Sequence, residues 1–388
     1  MFDSFRKYLK GDPVIWGVII GLSIFSLLAV YSATGSLAYR YQGGNTSYYI
    51  VKHATLLFIG WIIIFVTHMV PYKVFSRLSQ LFLIISVPLL LLTLVLGTSI
   101  NQAARWLTIP GLEFTFQTSD FAKLALVMYV ARLLSMKQDT IKEYGSTFLP
   151  LIIPILIICM LIVPANLSTA LMLFTACYIL MFIGRVNFKY MFSFSLLGIA
   201  IASIVVIISL NSDWGGRWET WRHRIESFTN KEEGDNFQVN QSKIAIVSGG
   251  LVKLRPGKSI QRNYLPHPYS DFIFAIIIEE YGLLGGILVM FLYLYLLYRA
   301  GIMVRKSTRT FPAFLAMGLT ILIVMQAMIN MAVAVNLLPV TGQPLPLVSM
   351  GGTSMLFTCV ALGIILSVSR SIDQPADELI MEDKYEQN

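Results

Sequence analysis

The sequence predicts an all-α integral membrane protein of about ten transmembrane helices, with a large extracytoplasmic loop between helices 7 and 8. Three observations carry that expectation. Hydrophobic residues make up 56% of the chain and charged residues 13%, with a mean hydropathy of +0.70, far more apolar than a soluble domain. Apolar runs long enough to cross a hydrocarbon core of about 30 Å recur at 14–33, 48–70, 77–97, 118–135, 147–164, 166–184, 188–210, 271–298, 311–335 and 346–369. Basic residues concentrate on alternate connections. One side holds Arg6, Lys7 and Lys10, then Lys73 and Arg77, Arg132, Lys137 and Lys142, Arg185 and Lys189, Arg299, Arg305, Lys306 and Arg309, and finally Arg370 and Lys384. The short connections on the other side hold Arg40, Lys52 and Arg105. That asymmetry places both termini in the cytoplasm.

Residues 1–370 read as a single polytopic membrane domain with an outer loop at 211–270, and 371–388 as a polar, acidic cytoplasmic tail. Residues 1–13 form a short basic lead. The first apolar run is too long for a signal-peptide core and lacks a small-residue cleavage site, so it reads as a retained anchor. Gly17 and Gly21 form a G-x-x-x-G pair that would admit a close helix. His53 and His68 lie near span ends and read as interfacial. Cys159, Cys177 and Cys359 fall inside spans, which implies no disulfide framework.

The connection before the fourth span and the span itself read NQAARWLTIPGLEFTFQTSDFAKLALVMYVARLL. Arg105 and Trp106 belong at the outer interface, where Trp anchors. Asp120 and Lys123 stand three residues apart, so they share a helix face and can pair. Ionisable residues inside a span usually line a cavity or substrate path, and these two are read that way. The turn VPANLSTALML, with Asn166, Ser168 and Thr169, reads as helix packing.

The outer segment 211–270 carries nine basic residues. Trp214, Trp218, Trp221, Ile225 and Phe228 recur at helical spacing, with Arg217, Arg222, His223 and Arg224 around them, the pattern of a helix lying in the membrane interface, and a plain aromatic belt explains the tryptophans about as well. The net charge of +8 is spread as a membrane topology signal and a lipid-facing loop, so it does not indicate nucleic acid. The glycines of SGG and PGKS do not match the G-x-x-x-x-G-K-[ST] phosphate loop, which excludes that nucleotide site.

Residues 260–282, IQRNYLPHPYSDFIFAIIIEEYG, join this loop to the eighth span. Pro268 holds the entering chain extended, and Ser270 reads as a helix N-cap. Asp271 is then expected in the first helical turn, at the rim of a span beside a basic loop. Glu279 and Glu280 lie about two turns deeper, and either a cavity role or ion pairing suits them. Further on, NLLPVTGQPLPLVSMGGTS breaks the last span with prolines and glycines.

Three separated stretches carry a resemblance. They are RIESF…NFQVNQSKIAIVSGGL…GKSIQRNYLPHPYSDFIFAIIIEEYGLLGG, QAMINMAVAVNLLPVTGQPLPLVSMGGTSML, and ARWL…FQTSDFAKLA. Together they resemble the SEDS (shape, elongation, division and sporulation) family, the FtsW/RodA glycan polymerases, in motif order, topology and nearly full length, with wording closer to the division branch. The resemblance implies a ten-helix bundle in the bacterial cytoplasmic (inner) membrane. It implies peptidoglycan glycosyltransfer on lipid II at the outer face, during division or elongation, and a class B penicillin-binding protein transpeptidase as partner. By motif match, Asp271 takes the place of the family's essential aspartate, and Arg105, Asp120 and Lys123 match polar residues of its central cavity. The chain departs from the family where L-P-E-x-H-T-D is written Leu265-Pro266-His267-Pro268-Tyr269-Ser270-Asp271. Asp120 stands where the family writes Glu, Lys253-Leu254-Arg255 replace a G-x-G stretch, and Asn166 replaces an Asp.

Elementary chemistry agrees with that reading. Extending a glycan needs an activated acceptor hydroxyl and a stabilised pyrophosphate leaving group. Asp271 would accept the hydroxyl proton or hold a divalent cation, Mg or Mn, at the pyrophosphate. A helix N-terminus favours an ionised carboxylate, which suits the metal role, whereas a base needs closure and desolvation; both stay open. Lys123, Arg105, Lys258 and Arg262 would clamp the pyrophosphate. Two rival readings are a flippase for the lipid-linked precursor, since broken helices also serve transporters, and a division scaffold without chemistry. No internal inverted repeat is visible, which weighs against the flippase.

Overall fold

The computed structural model of the chain describes residues 9–35, 37–38, 43, 45–100, 103–109, 114–196, 198, 237–265 and 268–373. Ten helices and one small sheet can be labelled among them: α1 Pro13–Ala33, α2 Thr46–Met69, α3 Tyr72–Leu96, β1 Thr98–Ile100, β2 Ala103–Ile109, β3 Phe114–Gln117, α4 Thr118–Met136, α5 Leu149–Ile162, α6 Leu167–Ile183, α7 Phe237–Gly249, α8 Ile273–Lys306, α9 Thr310–Ala334 and α10 Thr353–Asp373. Seven helices among the described residues are long and apolar enough to cross a membrane by length and composition. The chain is therefore a mostly helical, multi-pass membrane protein. Residues 188–196 open the expected seventh span as helix. The remainder of that span and the interface helix expected around Trp214, Trp218 and Trp221 lie outside the described residues, as do the N-terminal lead 1–8 and the tail from 374.

Local chemistry sets where these helices start. Asp12 caps α1, its Oδ1 accepting from Val14 N at 2.9 Å, with Pro13 in the first turn. The same carboxylate pairs with Arg299 near the end of α8, Nε to Oδ2 at 2.7 Å. The Asp12 N–H donates to Ser369 on α10 at 2.7 Å. One residue thus pins the ends of three helices.

The helices divide by burial. α9 is buried on nearly all sides, from Pro312 to Ala334, and forms the centre of the bundle against α8 and α4. α2 and α3 lie at the periphery, with Phe58, Ile84 and Val95 more than 60% exposed. With lipid as solvent, such an apolar outer face carries no penalty, and tight packing is what holds helices together. Small residues make that packing possible. A Cβ on Gly60 would come within 2.7 Å of Cys359 Sγ, and one on Gly363 within 2.6 Å of Thr67 Cβ, both at the α2–α10 crossing. Gly21 meets Leu292 of α8, whereas Gly17 faces open space, so the predicted pair contributes one contact rather than two. The three cysteines are free and buried.

Three features differ from the sequence-based expectations. His53 and His68 are buried at 1% exposure instead of interfacial. His53 Nε2 and Ser26 Oγ share a hydrogen bond of 2.7 Å, and His68 stacks edge-on against Trp16. His68 Nδ1 also bonds the Phe65 carbonyl, and His53 Nδ1 is left without a partner among the described residues, neither of which a span-end position reveals. The described residues of the connection after α3 form a three-stranded antiparallel sheet in the order β1-β2-β3, with Trp106 opposite Gln117 and Thr98 opposite Trp106. The eighth span begins at Ile273, not at Asp271: Ser270 and Asp271 sit in the turn that precedes α8 and its cap residue Phe272.

Candidate functional site

At the end of the bundle that holds the sheet lies a cavity of about 230 Å³. Trp106 and Gln117 line it from the sheet, Asp120 from α4, Asn166 from the turn before α6, Ser270 from the turn before α8, Gly342–Pro344 with Met350–Gly352 from the broken segment before α10, and Ser354 from the first turn of α10.

Strand β3 runs directly into α4, which puts Asp120 in the first helical turn and Lys123 one turn later. Their ion pair is 2.7 Å long, with side chains 3% and 6% exposed. Lys123 Nζ also donates to Gln326 Oε1 on α9 at 3.3 Å, and Gln326 Nε2 donates to the Pro344 carbonyl at 2.9 Å. Asp120 Oδ2 is buried and has no hydrogen-bond partner among the described residues. A buried carboxylate edge left open on a cavity is a group to which a donor on a ligand could bind.

The segment 335–352 is irregular backbone within the bundle, with positive φ at Asn336, Gly342, Leu347 and Gly352. Such backbone is tolerated at membrane depth only where protein satisfies its polar groups. Here Asn330 Nδ2 donates to the Gln343 carbonyl at 2.8 Å, Tyr293 OH to that of Pro346, and Ser26 Oγ to that of Val348 at 3.1 Å. Gln343 Nε2 donates in turn to Thr169 Oγ1.

The same network fixes Asp271. Met350 N donates to the Tyr269 carbonyl at 3.0 Å, Ser349 Oγ to that of Ser270 at 2.7 Å, and Asn330 Nδ2 to that of Asp271 at 3.0 Å. Three successive carbonyls are therefore held by α9 and the broken segment. Ser270 Oγ donates to Asp271 Oδ1 at 3.0 Å, and Ser270 itself lines the cavity.

The other predicted residues are distributed differently. Arg105 lies in β2 next to Trp106, and its side chain is outside the described residues. Lys258 is exposed on the loop after α7. Arg262 donates to the Ser32 and Gly257 carbonyls, each at 3.0 Å. Of the predicted residues whose side chains are described, Asp120 lines this cavity, whereas Asp271, Lys123, Lys258 and Arg262 do not. His267 and Pro266 lie outside the described residues.

Glu279 and Glu280 have a definite role. Glu279 accepts from Ser259 Oγ, from Ile260 N at 2.9 Å and from Gln261 N at 3.3 Å. Glu280 accepts from Ser32 Oγ and from Ser259 N at 3.0 Å. The two buried carboxylates clasp loop 257–262 against α8 and α1. Just beyond them α8 breaks at Gly282, whose φ of 71° and ψ of −179° favour glycine. Leu283 N and Leu284 N donate to the carbonyls of Gly250 and Leu251, and Arg255 N donates to that of Glu280. The loop after α7 thus takes the hydrogen bonds that the break leaves open.

Asn330, Ser349, Gln326 and Gln343 were not singled out from sequence, although polar residues at 326 and 330, one turn apart in an apolar helix, are a signal for a shared inward face.

A family model described as a cell cycle protein, of the FtsW, RodA and SpoVE type, matches residues 13–374. The chain belongs to this family. It is 31% identical to a probable peptidoglycan glycosyltransferase FtsW of Trichlorobacter lovleyi, over 96% of the chain and 97% of that protein. It is 32% identical to stage V sporulation protein E of Bacillus subtilis, over 93% and 98%. The fold is similar to rod shape determining protein RodA of Thermus thermophilus, with a TM-score of 0.66 at 22% identity, covering 95% of the chain and all of that one. It is also similar to a chain from a structure on the coordination of polymerization and crosslinking by a peptidoglycan synthase complex, with a TM-score of 0.70 at 23% identity over 94% and 99%. Family membership accounts for the order in which the three sequence motifs occur.

Proposed function

We propose that this FtsW/RodA/SpoVE-family chain is a peptidoglycan glycosyltransferase that polymerises lipid II into glycan strands at the outer face of the bacterial cytoplasmic membrane. The observation that carries the reading is a cavity lined by Asp120 and Ser270, with Lys123 ion-paired to Asp120 and Asp271 hydrogen-bonded to Ser270 Oγ just behind that lining. The names of the relatives supply the reaction class. The charge asymmetry of the connections supports cytoplasmic termini, ten spans and an extracytoplasmic loop between spans 7 and 8.

In this reading the 4-hydroxyl oxygen of the acceptor sugar attacks the anomeric carbon of the donor. The bond to the lipid pyrophosphate breaks, and the proton passes to Asp271. The pyrophosphate leaves with both bonding electrons, and its charge is met by Lys123 and Arg105, with Lys258 on the exposed loop. Arg262 serves by holding loop 257–262 in place. A rigid Asp271 backbone supplies positioning, which accounts for a large share of such a barrier.

The described residues gather no group of three His, Cys, Asp or Glu side chains. A divalent cation, Mg or Mn, would be held by one carboxylate and the substrate's own phosphates. Asp271 would be that carboxylate, and the cation would neutralise pyrophosphate charge.

A class B penicillin-binding protein is the partner this reading assigns, since one similar fold comes from a complex described as coordinating polymerization with crosslinking. The test is purified full-length protein given lipid II in detergent, with and without divalent cation and partner. Glycan strands support a polymerase. Lipid II transfer between leaflets of vesicles without strand formation under any of these conditions would make the chain a flippase instead.

A further inference from the structure

The loop after α7 carries a surface that the glycan-forming reading does not use. Val247 in the last turn of α7, and Leu251, Val252 and Leu254 beyond it, are each more than 70% exposed. Four aliphatic side chains this open within eight residues are what a water-facing loop avoids. Hydrogen bonds to α8 fix their depth. The Gly250 and Leu251 carbonyls accept from Leu283 N at 2.9 Å and Leu284 N at 3.2 Å, whereas Arg255 N donates to the Glu280 carbonyl at 2.9 Å. The chain therefore descends along α8 to Leu251, turns, and climbs back by Arg255, with Leu251 and Val252 at the tip. The break at Gly282 frees the α8 N–H groups that bond the loop, so irregular backbone is satisfied at this depth.

Two polar contacts bracket the hydrocarbon-facing part of the bundle. At one end Asp12 pairs with Arg299. From Asp12, α1 rises twenty residues to Ser32, about 30 Å at 1.5 Å per residue, where Ser32 meets Glu280 and Arg262. That height equals a hydrocarbon core of about 30 Å. Along α8, Gly282 stands seventeen residues from Arg299, about 26 Å by the same rise. The tip, bonded at Leu283 and Leu284, thus lies inside the polar plane of Ser32, Glu280 and Arg262 rather than above it.

Directly below the tip, Leu284, Leu288 and Phe291 carry a stripe down α8, each about half exposed. Leu251 and Val252 continue that lipid-facing surface upward. The cations of the loop stand higher: Lys253 Nζ turns back to the Ser248 carbonyl at 2.8 Å, and Arg255 is level with Glu280, the height at which basic side chains meet lipid headgroups. We propose that the tip of this loop inserts Leu251 and Val252 among the acyl chains of the leaflet opposite the Asp12–Arg299 pair, anchoring the loop that Glu279 and Glu280 clasp. The topology proposed above makes this the outer leaflet. Insertion itself depends neither on that assignment nor on the reaction.

The test uses full-length protein carrying Val252→Cys or, separately, Leu251→Cys, labelled with a nitrobenzoxadiazole maleimide and reconstituted in phosphatidylcholine–phosphatidylglycerol vesicles. The native cysteines are buried, and wild type treated in the same way supplies the background. Emission is quenched either by lipid bearing a nitroxide on its acyl chain or by iodide on both sides of the membrane. The expected result is a larger loss of emission with the acyl-chain nitroxide than with iodide at both positions. A larger loss with iodide at either position puts the tip in water and overturns the proposal. Emission protected from both quenchers also overturns it, because protein then covers the tip, whether another segment of this chain or a partner.

Discussion

Asp120 and Lys123 pair with each other in a buried environment that excludes water. Removing one member of a buried pair leaves the other uncompensated, at a cost of about 3–5 kcal/mol, while replacing both with apolar residues is far milder. Asp120→Asn and Lys123→Met should therefore each lower the denaturation midpoint more than the double variant does. Equal or additive losses would show that the two charges act independently. This pair was legible because spacing of three on a helix is a local rule. The setting of Asp271 was not. Its turn is held by Asn330 and Ser349, 59 and 79 residues away in sequence, and no cap rule reads such partners. Ser270 looked like a helix cap for a local reason, yet tertiary hydrogen bonds to three successive carbonyls keep residues 269–271 out of α8.

Among the elements, α8 and the loop after α7 depend on each other. A Cβ at Gly282 would lie 2.7 Å from the Leu251 carbonyl oxygen and 2.8 Å from Lys253 N, in a backbone conformation that side chains avoid. Gly282→Ala should cost about 1–3 kcal/mol from conformation alone, and more from the clash, read as a lower melting temperature in detergent. Wild-type stability in this variant would mean that the break is not rigid. Glu279→Ala removes the acceptor of two loop N–H groups, each worth about 1–3 kcal/mol if left buried and unpaired. Faster protease cleavage within 250–265 is the expected readout, and an unchanged rate would refute the clasp. The sheet escaped the sequence reading because the search for apolar runs of helix length treats connections as blanks. In hindsight RWLTI and FTFQ are rich in β-branched and aromatic residues and flank a Pro-Gly pair, a strand-turn-strand signal.

For the whole molecule, hydropathy carried the mostly helical, multi-pass membrane class. The broken segment before α10 followed from the prolines and glycines of NLLPVTGQPLPLVSMGGTS. The clasp of Glu279 and Glu280 on a distant loop did not, since a carboxylate pair on a helix looks the same whether it faces a cavity or a neighbouring backbone. The buried cysteines also make topology testable with little background. Lys253→Cys should react with a membrane-impermeant maleimide in intact cells, and Lys142→Cys only after permeabilisation. The reverse pattern would invert the molecule and place the candidate catalytic cavity in the cytoplasm.

The central claim is chemical: a carboxylate beside the cavity, at the mouth of α8, moves a proton in glycan formation. The most direct measurement compares wild type with Asp271→Asn in the detergent lipid II assay, after confirming equal melting temperatures. The account predicts strands from the wild type and at least a hundredfold slower polymerisation from the variant, the lower end of what a positioned proton acceptor contributes. An Asn variant that polymerises lipid II at the wild-type rate would contradict it.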